Sequence, residues 1–98
     1  MPIYSLELHP ESVAETQATF LWYKEQNESV AKAFLDEVDH GMSQIEEAPE
    51  RWPKYVRGTR RYFLHRFPFS IVYRVKNTNV QIVAVAHGRR RPGYWKNR

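Results

Sequence analysis

The sequence predicts an α+β fold in the order β-α-α-β-β-β, with an antiparallel helical hairpin packed on a small antiparallel sheet. Three observations carry this. Residues 31–45 repeat apolar side chains at steps of three and four, the period of one helix face. Residues 60–87 change to short β-rich runs separated by turn signals. A length of 98 residues fits one domain and one modest core, so the unit is 1–98.

The first element is a strand in "PIYSLELHP", where Ile3, Ser5 and Glu7 alternate with Tyr4, Leu6 and Leu8 before Pro10 stops it. This strand adds at an edge or the centre of the sheet. Pro10, Glu11 and Ser12 then open a helix that runs to about Glu25. Ser12-x-x-Glu15 reads as a capping box, and Val13, Ala18, Phe20 and Leu21 share the expected inner face. Gln26 to Ser29 is a polar break in which Asn27 caps the next helix. That second helix carries Ala31, Phe34, Leu35, Val38, Met42 and Ile45 on one stripe and ends before Pro49. Gly41 in its middle costs about 1 kcal/mol relative to alanine, which points to close packing. The short link makes the helices antiparallel neighbours.

"ERWPKYVRGT" is a loop that tucks Trp52 and Tyr55 against the core. "RRYFLHRF" is the next strand, with Arg61, Phe63, His65 and Phe67 on one face and Tyr62, Leu64 and Arg66 on the other. Pro68 marks a tight reversal into "SIVYRV", whose Ile71, Tyr73 and Val75 share a face. "KNTN" is a turn, and "VQIVAVAH" reads as a central strand covered on both sides. Three strands joined by short turns form an antiparallel meander. The hairpin must cover one of its faces, because both layers have apolar surface to hide.

Charge is divided along the chain. Residues 1–50 hold two lysines against all eleven acids, a formal −9; residues 51–98 hold thirteen Lys and Arg and no acid, a formal +13. Such segregation speaks of partners, and the basic half is expected to meet an anionic one, with part of it facing the acidic half of its own chain. The absence of cysteine excludes disulfides and thiolate chemistry and agrees with a cytoplasmic location. No run of about 18 apolar residues predicts a membrane span, and no spacing predicts a metal site, a phosphate loop or a Ser-His-Asp set. No cofactor is expected.

The chain ends "HGRRRPGYWKNR". One reading is a solvated tail; the other is a working surface at the end of a strand, with Tyr94-Trp95 folded back on the sheet. Arginines interleaved with aromatic rings suit RNA or DNA, cations on phosphate and rings on bases. The target-binding candidates are Arg60, Arg61, Arg66, Arg74, Arg89, Arg90, Arg91, Tyr94 and Trp95. Each also has a structural reading, as packing or as a solvated charge. The acid pairs Asp36-Glu37 and Glu46-Glu47 read as solvated helix faces, and His9 and His40 as surface residues.

"FPFSIVYRV" followed by "VQIVAVAHGRRRPGYW" closely resembles the end of RelE/ParE-type toxins, the stable partners of type II toxin–antitoxin pairs; "FLWY" and the F-L-x-x-V pattern of the helices fit as well. The resemblance covers essentially the whole chain. It implies a cognate antitoxin as partner, oligomers formed through the antitoxin complex, no membrane association, and one of two targets. ParE-like members poison DNA gyrase; RelE-like members resemble metal-independent ribonucleases that cut mRNA in the ribosomal A site. The nuclease pattern is incomplete here: Ser70 stands where the nucleases place an arginine, and their paired lysines have no counterpart. If the chain is a nuclease, His65, His87, Tyr94 and Arg90 are the candidates for acid, base and charge stabilisation. The ParE-like branch fits these segments better.

Overall fold

The computed structural model describes residues 3–98. Strand β1 (Ser5–Leu8) leads into helices α1 (Pro10–Gln26) and α2 (Glu28–Glu47). A single turn of 3-10 helix (Val56–Gly58) precedes strands β2 (Arg60–Phe63), β3 (Phe69–Lys76) and β4 (Asn79–His87). The four strands form one sheet in the order β1-β4-β3-β2. The meander β2-β3-β4 is antiparallel as expected, while β1 pairs parallel with β4, Ser5 opposite Asn79 and Leu8 opposite Ile82, so the sheet is mixed. The first strand takes an edge, and β4 is central.

Helix α2 follows its sequence. Asn27 Oδ1 accepts from the amides of Ser29 and Val30 and satisfies two of the orphan donors at its start. Ala31, Phe34, Val38 and Ile45 are buried, and the last three form one cluster with Ile71, Tyr73, Val80, Ile82 and Val85 on the sheet. Each large side chain so buried stabilises by about 1.5–3 kcal/mol. Gly41 lies against the same surface: a Cβ there would stand 2.8 Å from Tyr62 Cε1 and 2.9 Å from Ile71 Cδ1.

Helix α1 departs from its sequence reading. His9, not Ser12, is its N-cap, with Nδ1 accepting from the Glu11 amide at 3.1 Å and Pro10 in the first turn. Ser12 instead turns inward and donates to the His9 carbonyl at 2.6 Å, so the expected capping box does not form. The expected inner face is also displaced. Leu21 is 58 % and Val13 37 % exposed, and Trp22 is 59 % exposed beside them; Ser12 is the helix's buried residue, with Thr16, Phe20 and Tyr23 half-buried. A helix can turn a small, polar face inward when its groups are bonded, as Thr16 is to the Ser12 carbonyl at 2.9 Å.

The expected strand over residues 60–67 stops at Phe63. Beyond it the alternation fails: Phe67 joins the helix-side core, its ring 5.2 Å from Tyr23 and 5.4 Å from Phe34, rather than sharing a face with Arg61 and Phe63. Glu37 on α2 accepts from the amides of His65 and Arg66 and fixes this bend. Trp52 stacks edge-on against Tyr62 at 4.6 Å and Tyr55 lies 6.1 Å from Trp95, so both loop aromatics pack as expected.

Both faces of β4 are covered. A register shift between Val72 and Tyr73 sets Val72 opposite Ala84 but Tyr73 opposite Ile82, leaving Val83 without a partner. This bulge lets Val83 and Ala84, neighbours in sequence, both join the cluster on the face away from the helices. Trp95 closes that cluster with Val72 and Ala86 and is only 2 % exposed. The C-terminal segment is therefore a packed layer. Gly93, at φ 83, supplies the left-handed turn that brings it back.

Replacing Gly41 by alanine tests the helix–sheet contact. At an exposed helical position the change would stabilise by about 1 kcal/mol. Here overpacking against Tyr62 and Ile71 is expected to destabilise by about 1–3 kcal/mol, read as a lower urea midpoint at unchanged m-value.

Candidate functional site

The face away from the helices carries a cleft of about 380 Å³ between the β2–β3 bend and the C-terminal segment. Its walls include Tyr55, Phe63 and Trp95 together with Arg61, His87, Arg90, Arg91 and Tyr94. None of the lining residues is an Asp or Glu. The guanidinium of Arg61 is held between two rings, 3.9 Å from the centroid of Tyr55 and 4.6 Å from that of Phe63. Arg90 lies 3.8 Å over the ring of Tyr94. Such contacts orient a cation without neutralising it.

The wall that bears Arg90 and Arg91 is held by one carboxylate. Glu15, on the inward side of α1, accepts from the Val85 amide at 3.0 Å, the Tyr94 hydroxyl at 2.6 Å and both terminal nitrogens of Arg98 at 2.9 and 3.0 Å. It joins the first helix, the central strand and the end of the chain at one point. Arg98 also donates to the Val83 carbonyl, and Arg74 donates to the main-chain oxygen of Arg98. Burial raises the Tyr94 phenol well above its ordinary range, and the bond to Glu15 raises it further. Burial opposes the charge on Arg98, and the bonds to Glu15 more than offset this and hold its pKa above the ordinary value.

The sequence-predicted residues divide into three groups. Arg61, His87, Arg90, Arg91, Tyr94 and Trp95 meet at the cleft, with Arg89 on a neighbouring groove of about 570 Å³ beside Trp22 and Phe69. Arg60 and Arg74 serve the fold: Arg60 Nη1 donates to the carbonyls of Glu50 and Trp52 at 3.2 and 2.7 Å, and Arg74 Nε donates to Gln81 Oε1 at 2.6 Å. His65 and Arg66 stand exposed on the bend and do not themselves line the cleft, although their neighbours Leu64 and Phe67 do. His87 is half-buried; its Nδ1 accepts from the Arg89 amide at 3.0 Å and its ring meets Phe69 edge-on at 5.0 Å.

Glu15 and Glu37 were not singled out for these roles from sequence. The signal for Glu15 is its place on the stripe of Ser12, Thr16, Thr19 and Tyr23, an acid on the face that looks inward once Leu21 and Trp22 are seen to look out. Among the described residues, Arg98–Glu15 is the one ion pair. The remaining cations of the basic half are not neutralised by the helices.

The arrangement is an α+β domain, a helical hairpin on a meander with a cationic cleft closed by the C-terminal segment. The profile of the ParE toxin of type II toxin–antitoxin systems, parDE, matches residues 6–92. The chain belongs to that family. A solved structure titled "Chromosomal ParDE TA system from P. aeruginosa" has the same fold, with a TM-score of 0.77 and 21 % identity over 87 % of this chain and 96 % of that one. No curated protein matches the chain.

The Tyr94–Glu15 bond gives a pH test. The folded state keeps Tyr94 protonated past the pH, about 10, at which the unfolded chain's tyrosine ionises. Its contribution is therefore complete below about pH 10 and lost as pH rises further. Tyr94→Phe is expected to lower stability by about 1 kcal/mol at neutral pH and to lose less between about pH 9 and 11 than the parent does, measured by urea unfolding at each pH.

Proposed function

We propose that this ParE-family toxin arrests growth by inhibiting DNA gyrase in the cytoplasm and is neutralised by a cognate antitoxin. The observation that carries the choice of target is the bond from Tyr94 to Glu15. A nuclease that works without a metal needs a proton donor and acceptor at the scissile phosphate. Here the phenol is occupied and its pKa raised, and His65, unlike His87, does not line the cleft. What remains is a rigid surface of arginines and rings, suited to binding an anionic target more than to moving protons.

The antitoxin would take an adjoining surface that shares Phe69 and His87 with the cleft. Leu21 and Trp22 are exposed side by side on α1, and the groove beside them combines Ala18, Tyr23 and Phe69 with His87 and Arg89. An amphipathic acidic segment would lay its apolar side on Trp22 and its acids on Arg89, folding as it binds. Oligomers would then form through the antitoxin complex.

The test is a supercoiling assay with purified gyrase. The toxin is expected to stop supercoiling and to accumulate cleaved DNA–gyrase complexes, and purified antitoxin to reverse both. Changing Arg89, Arg90 and Arg91 together to serine should raise the half-inhibitory concentration about tenfold or more. Undiminished supercoiling at excess toxin, with cleavage of mRNA on programmed ribosomes instead, rejects the reading in favour of a ribosome-dependent nuclease.

A further inference from the structure

We infer that the cleft is a binding site for a nucleoside phosphate, a planar ring carrying a phosphate group. The first ground is the state of its cations. Arg61, Arg90 and Arg91 line the cleft, and among the described residues none of their guanidinium groups donates a hydrogen bond to the protein. Arg60 and Arg74, which do not line the cleft, are bonded to protein oxygens. Guanidinium forks match phosphate oxygens two at a time, and no carboxylate in the cleft competes for them.

The second ground is Ser70. It is 7 % exposed, lines the cleft and makes no side-chain hydrogen bond among the described residues. Its hydroxyl is open to the cleft and free to donate to a phosphate oxygen. The third ground is the apolar side of the same space. Phe63 is 54 % exposed, with Arg61 against its ring, which orients the ring for a base to stack on its free face. A lone carboxylate or inorganic phosphate would engage the arginines and leave this wall wet. A ring joined to a phosphate satisfies both, and a space of about 380 Å³ lies in the range of small-molecule sites. No bond is made or broken. The inference goes beyond action on gyrase and does not need it.

The test is calorimetric titration of the full chain, without gyrase or antitoxin, by adenosine 5′-monophosphate, adenosine and inorganic phosphate, paired with amide NMR spectra. Binding of the monophosphate is expected with a dissociation constant below about 1 mM at low salt. It should be about tenfold or more tighter than binding of either fragment and weaken as salt rises. The largest shifts should fall on Arg61, Phe63, Ser70 and Arg91. Phe63→Ala, at an exposed position, should weaken the monophosphate about fivefold or more and leave inorganic phosphate unchanged; Arg91→Gln should weaken both. No saturable binding by folded protein overturns the inference. So does phosphate binding as tightly as the nucleotide, or shifts that map outside the cleft. A gyrase assay plays no part, so failure here and failure of the gyrase reading are separately visible.

Discussion

One carboxylate holds the working face of this protein in place. Glu15 reaches from α1 to the Val85 amide, the Tyr94 hydroxyl and the Arg98 guanidinium. Without it, the segment after His87 would be tied mainly by the burial of Trp95 against Val72, Val83, Ala84 and Ala86. With it, the segment becomes a wall, and Arg90 and Arg91 are presented at fixed positions facing Arg61 and Phe63. A charge-assisted cluster in which the Arg98 and Glu15 side chains are only 16 % and 18 % exposed is strong where every member is bonded, as these are.

The same cluster explains the charge pattern. A chain whose halves carry −9 and +13 could have folded its acids onto its arginines. It does so once among the described residues, between Arg98 and Glu15. Glu37 is given to backbone amides, and the other helical acids are exposed. Guanidinium groups left this way beside low-dielectric ring surfaces produce a focused positive field. Beside that field lies the exposed apolar patch of Leu21 and Trp22 on α1.

Much of this fold was legible because its strongest elements bury one consistent face. Helix α2 repeats its apolar stripe over four turns, and β4 is apolar almost throughout, so periodicity alone identifies both. Helix α1 was legible as a helix but not in its orientation, since its inward side carries Ser12, Glu15 and Thr16 and its outward side Leu21 and Trp22. Hydrophobicity points the wrong way there, because polar groups are buried against specific partners that only the folded chain brings near. The sequence overextends the strand from Arg60, because Leu64 and Phe67 stay buried after the ladder ends, on a bend whose amides Glu37 holds. The cleft was half legible. The terminal run and its rings were visible, but which arginines it would contain depended on Arg60 and Arg74 finding protein oxygens, a matter of geometry and not of composition.

Amide hydrogen exchange addresses the Glu15 anchor most directly. The amides of Tyr94, Lys96 and Arg98 donate to the carbonyls of Arg91, Gly93 and Trp95, and Val85 donates to Glu15 itself. In the parent chain these amides should be protected. In Glu15→Gln, protection should fall across residues 92–98 and at Val85, while the amides of α2 and of the β3–β4 ladder keep theirs. Free exchange of the terminal amides in the parent, or protection unchanged by the substitution, would contradict the account.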